Sequence, residues 1–89
     1  MSLSDVKDYL RVDGTANDNI IEGLISAAKT ILKEIVGKDF FADDEIEPLA
    51  ELFIKEKVRT FYFPDYQNEN GLNSMLVYLK DIAKGGGSL

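Results

Sequence analysis

The stretch TANDNIIEGLISAAKTILKEIVG, residues 15–37, decides the fold. At about 100° per residue, Ile20, Ile21, Leu24, Ile25, Ala27, Ala28, Ile31, Leu32, Ile35 and Val36 fill an arc of roughly 180°. Asn19, Glu22, Ser26, Lys29, Thr30 and Lys33 occupy the opposite side with no apolar intruder. That is an amphipathic helix with an apolar arc wide enough to bury two flanks. Thr15 stands where an N-cap belongs, Asp18 three residues on would complete a carboxylate version of the capping box, and Gly37 supplies a stop. Such a helix is about 31 Å long at ~1.5 Å per residue. The wide arc fits the central helix of a small bundle, and equally an element that faces a second subunit.

Upstream, Val6, Tyr9 and Leu10 lie at i, i+3 and i+4, which predicts a short helix with Ser4 as N-cap, Asp5 in its first turn and Asp13-Gly14 as its stop. Downstream, Lys38 to Glu47 reads as an acidic loop. Pro48 suits the first position of a third helix running to Phe63, where Pro64 halts it. Ala50, Phe53, Ile54, Val58 and Phe61 form its apolar arc, and Glu51 and Lys55 an i, i+4 ion pair. Lys57 falls inside that arc, so it either snorkels outward or meets a carboxylate, and snorkelling is the simpler outcome. Asp65 to Gly71 is a polar turn. A last helix from about Leu72 to Lys84 carries Leu72, Met75, Leu76, Leu79, Ile82 and Ala83 at helical spacing. The expectation is all-α: a small four-helix bundle-like domain over residues 1–84, with a long central second helix and a flexible Gly-rich tail at 85–89.

The whole chain has 89 residues, too few for two hydrophobic cores. It has no cysteine and no histidine, which removes disulfides, thiolate metal sites and the commonest general base, and fits a reducing, cytoplasmic setting. No run approaches the ~20 apolar residues that span a bilayer, and no signal pattern opens the chain, so no membrane contact is expected. Sixteen acidic against ten basic residues give a net charge of -6, which repels phosphate backbones.

Familiar chemical motifs fail on their spacing. A calcium loop counted from Asp13 places Asp18 at the required glycine and Leu24 at the bidentate glutamate; one counted from Asp43 places Pro48 and Ile54 there. Asn73-Ser74-Met75 resembles the attachment serine of acyl carrier proteins, but too little chain follows Ser74 for the helices that fold needs. Lys55, Lys57 and Arg59 share a helix, yet beside Glu51 and Glu56 they do not offset the acidic whole, so DNA reading is not expected. A paired-carboxylate hydrolase would need a cleft that so short a helical chain has little room for. No catalytic, cofactor-binding or metal-binding residue is assigned, and no enzyme is expected.

The aromatic run Phe61-Tyr62-Phe63-Pro64-Asp65-Tyr66 is the densest feature of the chain. Consecutive helical residues point in different directions, so three neighbouring rings cannot all enter one small core. Either at least one ring sits at a surface or interface, or the helix frays and the rings fold over the core edge. Lys57, Phe61, Tyr62, Phe63 and Tyr66 are accordingly the candidate oligomer interface.

The opening LSDVKDYLRVDGTANDNIIEGLISAAKTILKEIVGKDF, residues 3–40, resembles the small head-tail connector proteins of tailed bacteriophages and prophages. The resemblance rests on a short helix ending in Tyr9, Leu10 and Arg11 with an acidic turn at Asp13, a long helix with Ala27 and Ala28 at its middle and Gly37 at its close, a third helix opened by Pro48, and a last helix after a loop containing Gly71. It extends over about residues 3 to 80. The aromatic run with Pro64 departs from it, since that family favours a tyrosine followed by an acid and an arginine there. The resemblance implies a structural assembly protein involved in DNA packaging: a ring of about twelve copies under the portal, extending the DNA channel and offering a platform to the next connector or a tail-completion protein. The implied setting is the bacterial host cytoplasm during assembly and then the virion neck, with DNA met only as it passes through the channel. Acidic charge suits a wall that DNA slides past without sticking, so Asp39, Asp43, Asp44 and Glu45 are the candidate channel-lining acids. The alternative from another class is a small acidic inhibitor of the immunity-protein type, which would occlude a basic partner in a one-to-one complex.

Overall fold

A computed structural model describes residues 1–42 and 47–85. Its elements are four α-helices: α1 Leu3–Leu10, α2 Asp18–Val36, α3 Pro48–Tyr62 and α4 Glu69–Ala83. No strand occurs among the described residues, and the all-α reading holds. None of the helices is long and apolar enough to cross a membrane. Asp43, Asp44, Glu45 and residues 86–89 of the expected tail lie outside the described residues.

Helix starts are where the structure departs most from sequence expectation. α1 is capped by Ser2: its Oγ accepts from the Asp5 N–H at 3.2 Å while Asp5 Oδ2 accepts from the Ser2 N–H at 2.9 Å. This is a full capping box two residues before Ser4, which lies inside the helix. The two bonds hold the Asp5 carboxyl below its usual range, the backbone bond from Ser2 contributing most. α1 ends at Leu10, earlier than Asp13-Gly14, because Arg11 adopts the left-handed conformation (φ 60°) and the Val12 N–H donates back to the Lys7 carbonyl at 3.0 Å. Thr15 does not cap α2 through its side chain. Asn17 stands at the cap without a side-chain bond, and Asp18 instead faces Lys7 Nζ across 2.8 Å. Lys7 also donates to the Gly14 carbonyl, so one ammonium fastens the turn between α1 and α2. α4 begins three residues before Leu72 because Asn68 Oδ1 accepts from the Gly71 N–H at 3.2 Å. A Cβ on Gly71 would stand 2.5 Å from that same oxygen, so a larger residue there would have to displace the Asn68 side chain.

The stops match the sequence better. Gly37 closes α2 at φ 74°, with its N–H on the Lys33 carbonyl at 2.8 Å. Gly37→Ala is expected to destabilise the fold by about 1 kcal/mol, measured by chemical denaturation, since an L-residue is strained at that φ although open space surrounds the site. Pro48 occupies the first turn of α3, which ends at Tyr62 ahead of Pro64. The Glu51–Lys55 pair forms at 3.7 Å.

One core joins the helices: Val6 and Leu10 from α1, Ile21, Ala28 and Leu32 from α2, Ala50, Phe53, Ile54 and Val58 from α3, and Leu72 and Leu79 from α4, with Phe40 folded in from the segment after α2. α2 and α3 lie along each other and each also meets α1 and α4. Within one chain α2 buries only one flank of its arc, so the central-helix reading accounts for that flank alone. Ile21, Ala28 and Leu32 are buried, but Ile20 remains 59% exposed and Ile35 43%. Within one chain α1, α3 and α4 supply too little surface to cover a half-cylinder 19 residues long.

Candidate functional site at the end of α3

The last turns of α3 carry the residues singled out in the sequence, organised around one that was not. Glu56 is only 4% exposed. Leu49, Phe53 and Glu56 lie at i, i+4 and i+7, a second flank of α3 that points the carboxylate inward. Its Oε1 accepts from the Tyr9 hydroxyl of α1. Its Oε2 accepts from the Tyr66 hydroxyl at 2.7 Å and from Asn68 Nδ2 at 2.7 Å, both in the loop between α3 and α4. Arg59 Nη1 stands 3.7 Å from Oε1. A buried carboxylate is tolerable only when its lone pairs are met, and here donors from three segments meet them.

The protonation equilibria follow. Burial pushes the Glu56 carboxyl up, but the hydrogen bonds from Tyr9, Asn68 and Tyr66, with the Arg59 charge, outweigh it and hold the group below its ordinary value. Burial and the bond to Glu56 push the Tyr9 hydroxyl up to about 12. Tyr66 moves in the same direction, chiefly through its bond to Glu56.

Beside this hub lies an open groove of about 490 Å³ lined by Tyr9, Leu10, Arg11, Arg59, Phe63 and Tyr66. The Arg59 guanidinium stacks 4.0 Å above the Tyr66 ring. Tyr62 is half-buried and accepts from Asn17 Nδ2 at 2.7 Å through its hydroxyl, tying the end of α3 to the start of α2. Its ring meets Phe63 edge-on at 5.0 Å. Phe61 and Phe63 remain 41% and 38% exposed. Lys57 is half-buried with its ammonium 5.2 Å from the Phe61 ring centre, and it forms no ion pair among the described residues.

The five candidate interface residues therefore divide. Tyr62 and Tyr66 spend their hydroxyls inside the chain, whereas Phe61 and Phe63 are exposed and Lys57 lies half-buried against Phe61. Asp39 is exposed and accepts from the Phe41 N–H at 2.9 Å, well separated in sequence from the hub. Glu56, Asn68 and Arg11 were not among the candidate site residues of the sequence. The i, i+4, i+7 spacing could have flagged Glu56; nothing local flags Asn68 or Arg11. Among the described residues no three acids, histidines or cysteines converge as a metal site would require.

A hub of four hydrogen-bonding side chains with an arginine- and aromatic-lined groove offers no nucleophile paired to a base. The family model of the phage gp6-like head-tail connector proteins matches residues 1–76, which takes in α1, α2, α3 and the first half of α4. The chain belongs to that family. Nothing among curated proteins or solved structures matches the connector significantly. Its role is structural, at the junction between phage head and tail and in contact with other virion proteins.

Proposed function

We propose that the connector assembles as a closed ring of about twelve copies beneath the portal of the filled head, where it extends the DNA channel and offers a platform to the next connector or a tail-completion protein. The observation that carries this reading is the family match across residues 1–76. The exposed Phe61 and Phe63, with Lys57 beside them and the Tyr62 and Tyr66 rings behind, supply an apolar patch of the kind that subunits cover. The net charge of -6 supports passage of DNA without retention, and Asp39 is the described candidate for the lumen wall. Assembly takes place in the host cytoplasm and the finished ring sits in the virion neck.

Light scattering over a wide concentration range, with electron microscopy of the large species and purified portal added in a parallel series, tests the reading. Rings are expected, alone or on the portal. Phe61→Asp combined with Phe63→Asp should return the particle mass to that of a monomer with unchanged helix content, because charged groups would then have to be desolvated at the contact. A monomer that never joins portal, or a tight one-to-one complex with a basic partner, would overturn the proposal.

A further inference from the structure

The outer flank of α2 and the groove at the end of α3 are unlike surfaces that complement each other. Ile20, Ala27, Ile31 and Ile35 fall within about 80° of one another on α2, and all but the half-buried Ile31 are exposed. Glu34 borders them, exposed and making no ion pair among the described residues. Gly23 lies on the same side in mid-helix, and a Cβ there would meet nothing within 4 Å. A glycine inside a helix costs stability relative to alanine, and no contact among the described residues calls for it. This flank is apolar, approachable at close range, and edged by a carboxylate.

The groove has the opposite character. Tyr9, Leu10, Phe63 and Tyr66 give it apolar walls, and Arg11 and Arg59 both line it without any carboxylate lining it. Neither guanidinium donates a hydrogen bond within the chain among the described residues, and Glu56, the acid nearest Arg59, is already met by three neutral donors. Two cations in a chain of net charge -6 thus stand with free donors around an aromatic slot.

We infer that the outer flank of α2 in one copy of this chain seats in the arginine- and aromatic-lined groove of the next, with Glu34 facing Arg11 and Arg59. The inference rests on the ring reading and names its contact. It makes the interface heterologous: each copy uses the flank toward one neighbour and the groove toward the other, so the contacts close only around a ring. The carboxylate supplies an acceptor to Arg11 and a nearer one to Arg59 than Glu56 at 3.7 Å, the isoleucines meet Phe63 and Tyr9, and the missing side chain at Gly23 lets the two backbones approach.

Because the chain has no cysteine of its own, paired cysteines test this directly. Chains carrying Glu34→Cys and chains carrying Arg11→Cys, mixed under a mild oxidant, should form crosslinked dimers that neither forms alone, and a chain carrying both should give a ladder up to the ring. Phe63→Cys in place of Arg11→Cys serves as a second reporter should the change at Arg11 disturb the end of α1, with circular dichroism checking the helices. Glu34→Arg should reduce the particles to monomers, and adding Arg11→Glu on the same chain should restore them. Crosslinks by Glu34→Cys chains alone would overturn the inference in favour of a flank-to-flank pair. Rings that give no crosslink would overturn it while leaving ring assembly standing, and a crosslink from the groove only to added portal would assign the groove to that protein. A chain that stays monomeric with and without portal would overturn both readings.

Discussion

Glu56→Ala is expected to lower stability by about 3 kcal/mol, measured by urea denaturation of the monomer at pH 7. The cost arises on the donors left behind. Tyr9, Tyr66 and Asn68 would each keep a polar group aimed at an empty site, at about 1–3 kcal/mol for each buried group that water cannot reach, and partial access to solvent trims the sum. Glu56→Gln keeps the shape but turns one acceptor into a donor facing a donor, so about 1–2 kcal/mol is expected. The same hub sets a pH dependence. The Glu56 carboxyl is depressed in the folded state, so its contribution is present above the unfolded carboxyl's pKa and is lost as pH falls through the folded one. The Tyr9 hydroxyl is raised from 10.0 to about 12, so its contribution is full below the unfolded value and disappears as pH climbs between the two. The wild type should therefore lose stability on both sides of neutrality. In Glu56→Gln the acid-side slope should shrink, and a slope unchanged by the substitution would show that other carboxyls govern acid unfolding.

Phe53→Ala is expected to cost about 3–5 kcal/mol, the range for deleting a buried ring from a packed core. Phe53 is 1% exposed and belongs to the cluster that joins all four helices. A domain of this size holds only about 5–13 kcal/mol in total, so the variant should sit close to its unfolding midpoint at 37 °C, with a markedly lower melting temperature by circular dichroism. Phe53→Leu keeps most of the volume and should cost about 1–1.5 kcal/mol. Val77→Ala, at a site 66% exposed on α4, should change stability by less than about 0.5 kcal/mol. Equal losses at Phe53 and Val77 would contradict the placement of the core.

What the sequence determined by itself is the class of fold, the number of helices and where α2 and α3 stop; α1 ended sooner than Asp13-Gly14, at the left-handed Arg11. Those features depend on residues within a few positions of one another: apolar spacing near 3.6, Gly37 at a positive φ, Pro48 inside a first turn, Pro64 after a last one. The resemblance that pointed to the connector family was legible for the same reason, since it is carried by stops, starts and packing residues along α1, α2 and α3. Helix starts were less legible. Ser2, Ser4, Thr15 and Asn17 all have cap-forming side chains; Ser2 caps α1 with Asp5, while Asp18, which would have completed a box with Thr15, pairs with Lys7 instead. The tertiary structure alone decided two things. It showed that α3 surrenders a charged residue to the interior, because Glu56 collects Tyr9 from 47 positions away and Tyr66 and Asn68 from 10 and 12, and no local pattern records donors that arrive from other segments. It also decided which half of the α2 arc is covered. Periodicity places apolar side chains on a flank, but only the finite area of α1, α3 and α4 settles that Ile21, Ala28 and Leu32 leave water while Ile20 and Ile35 stay in it.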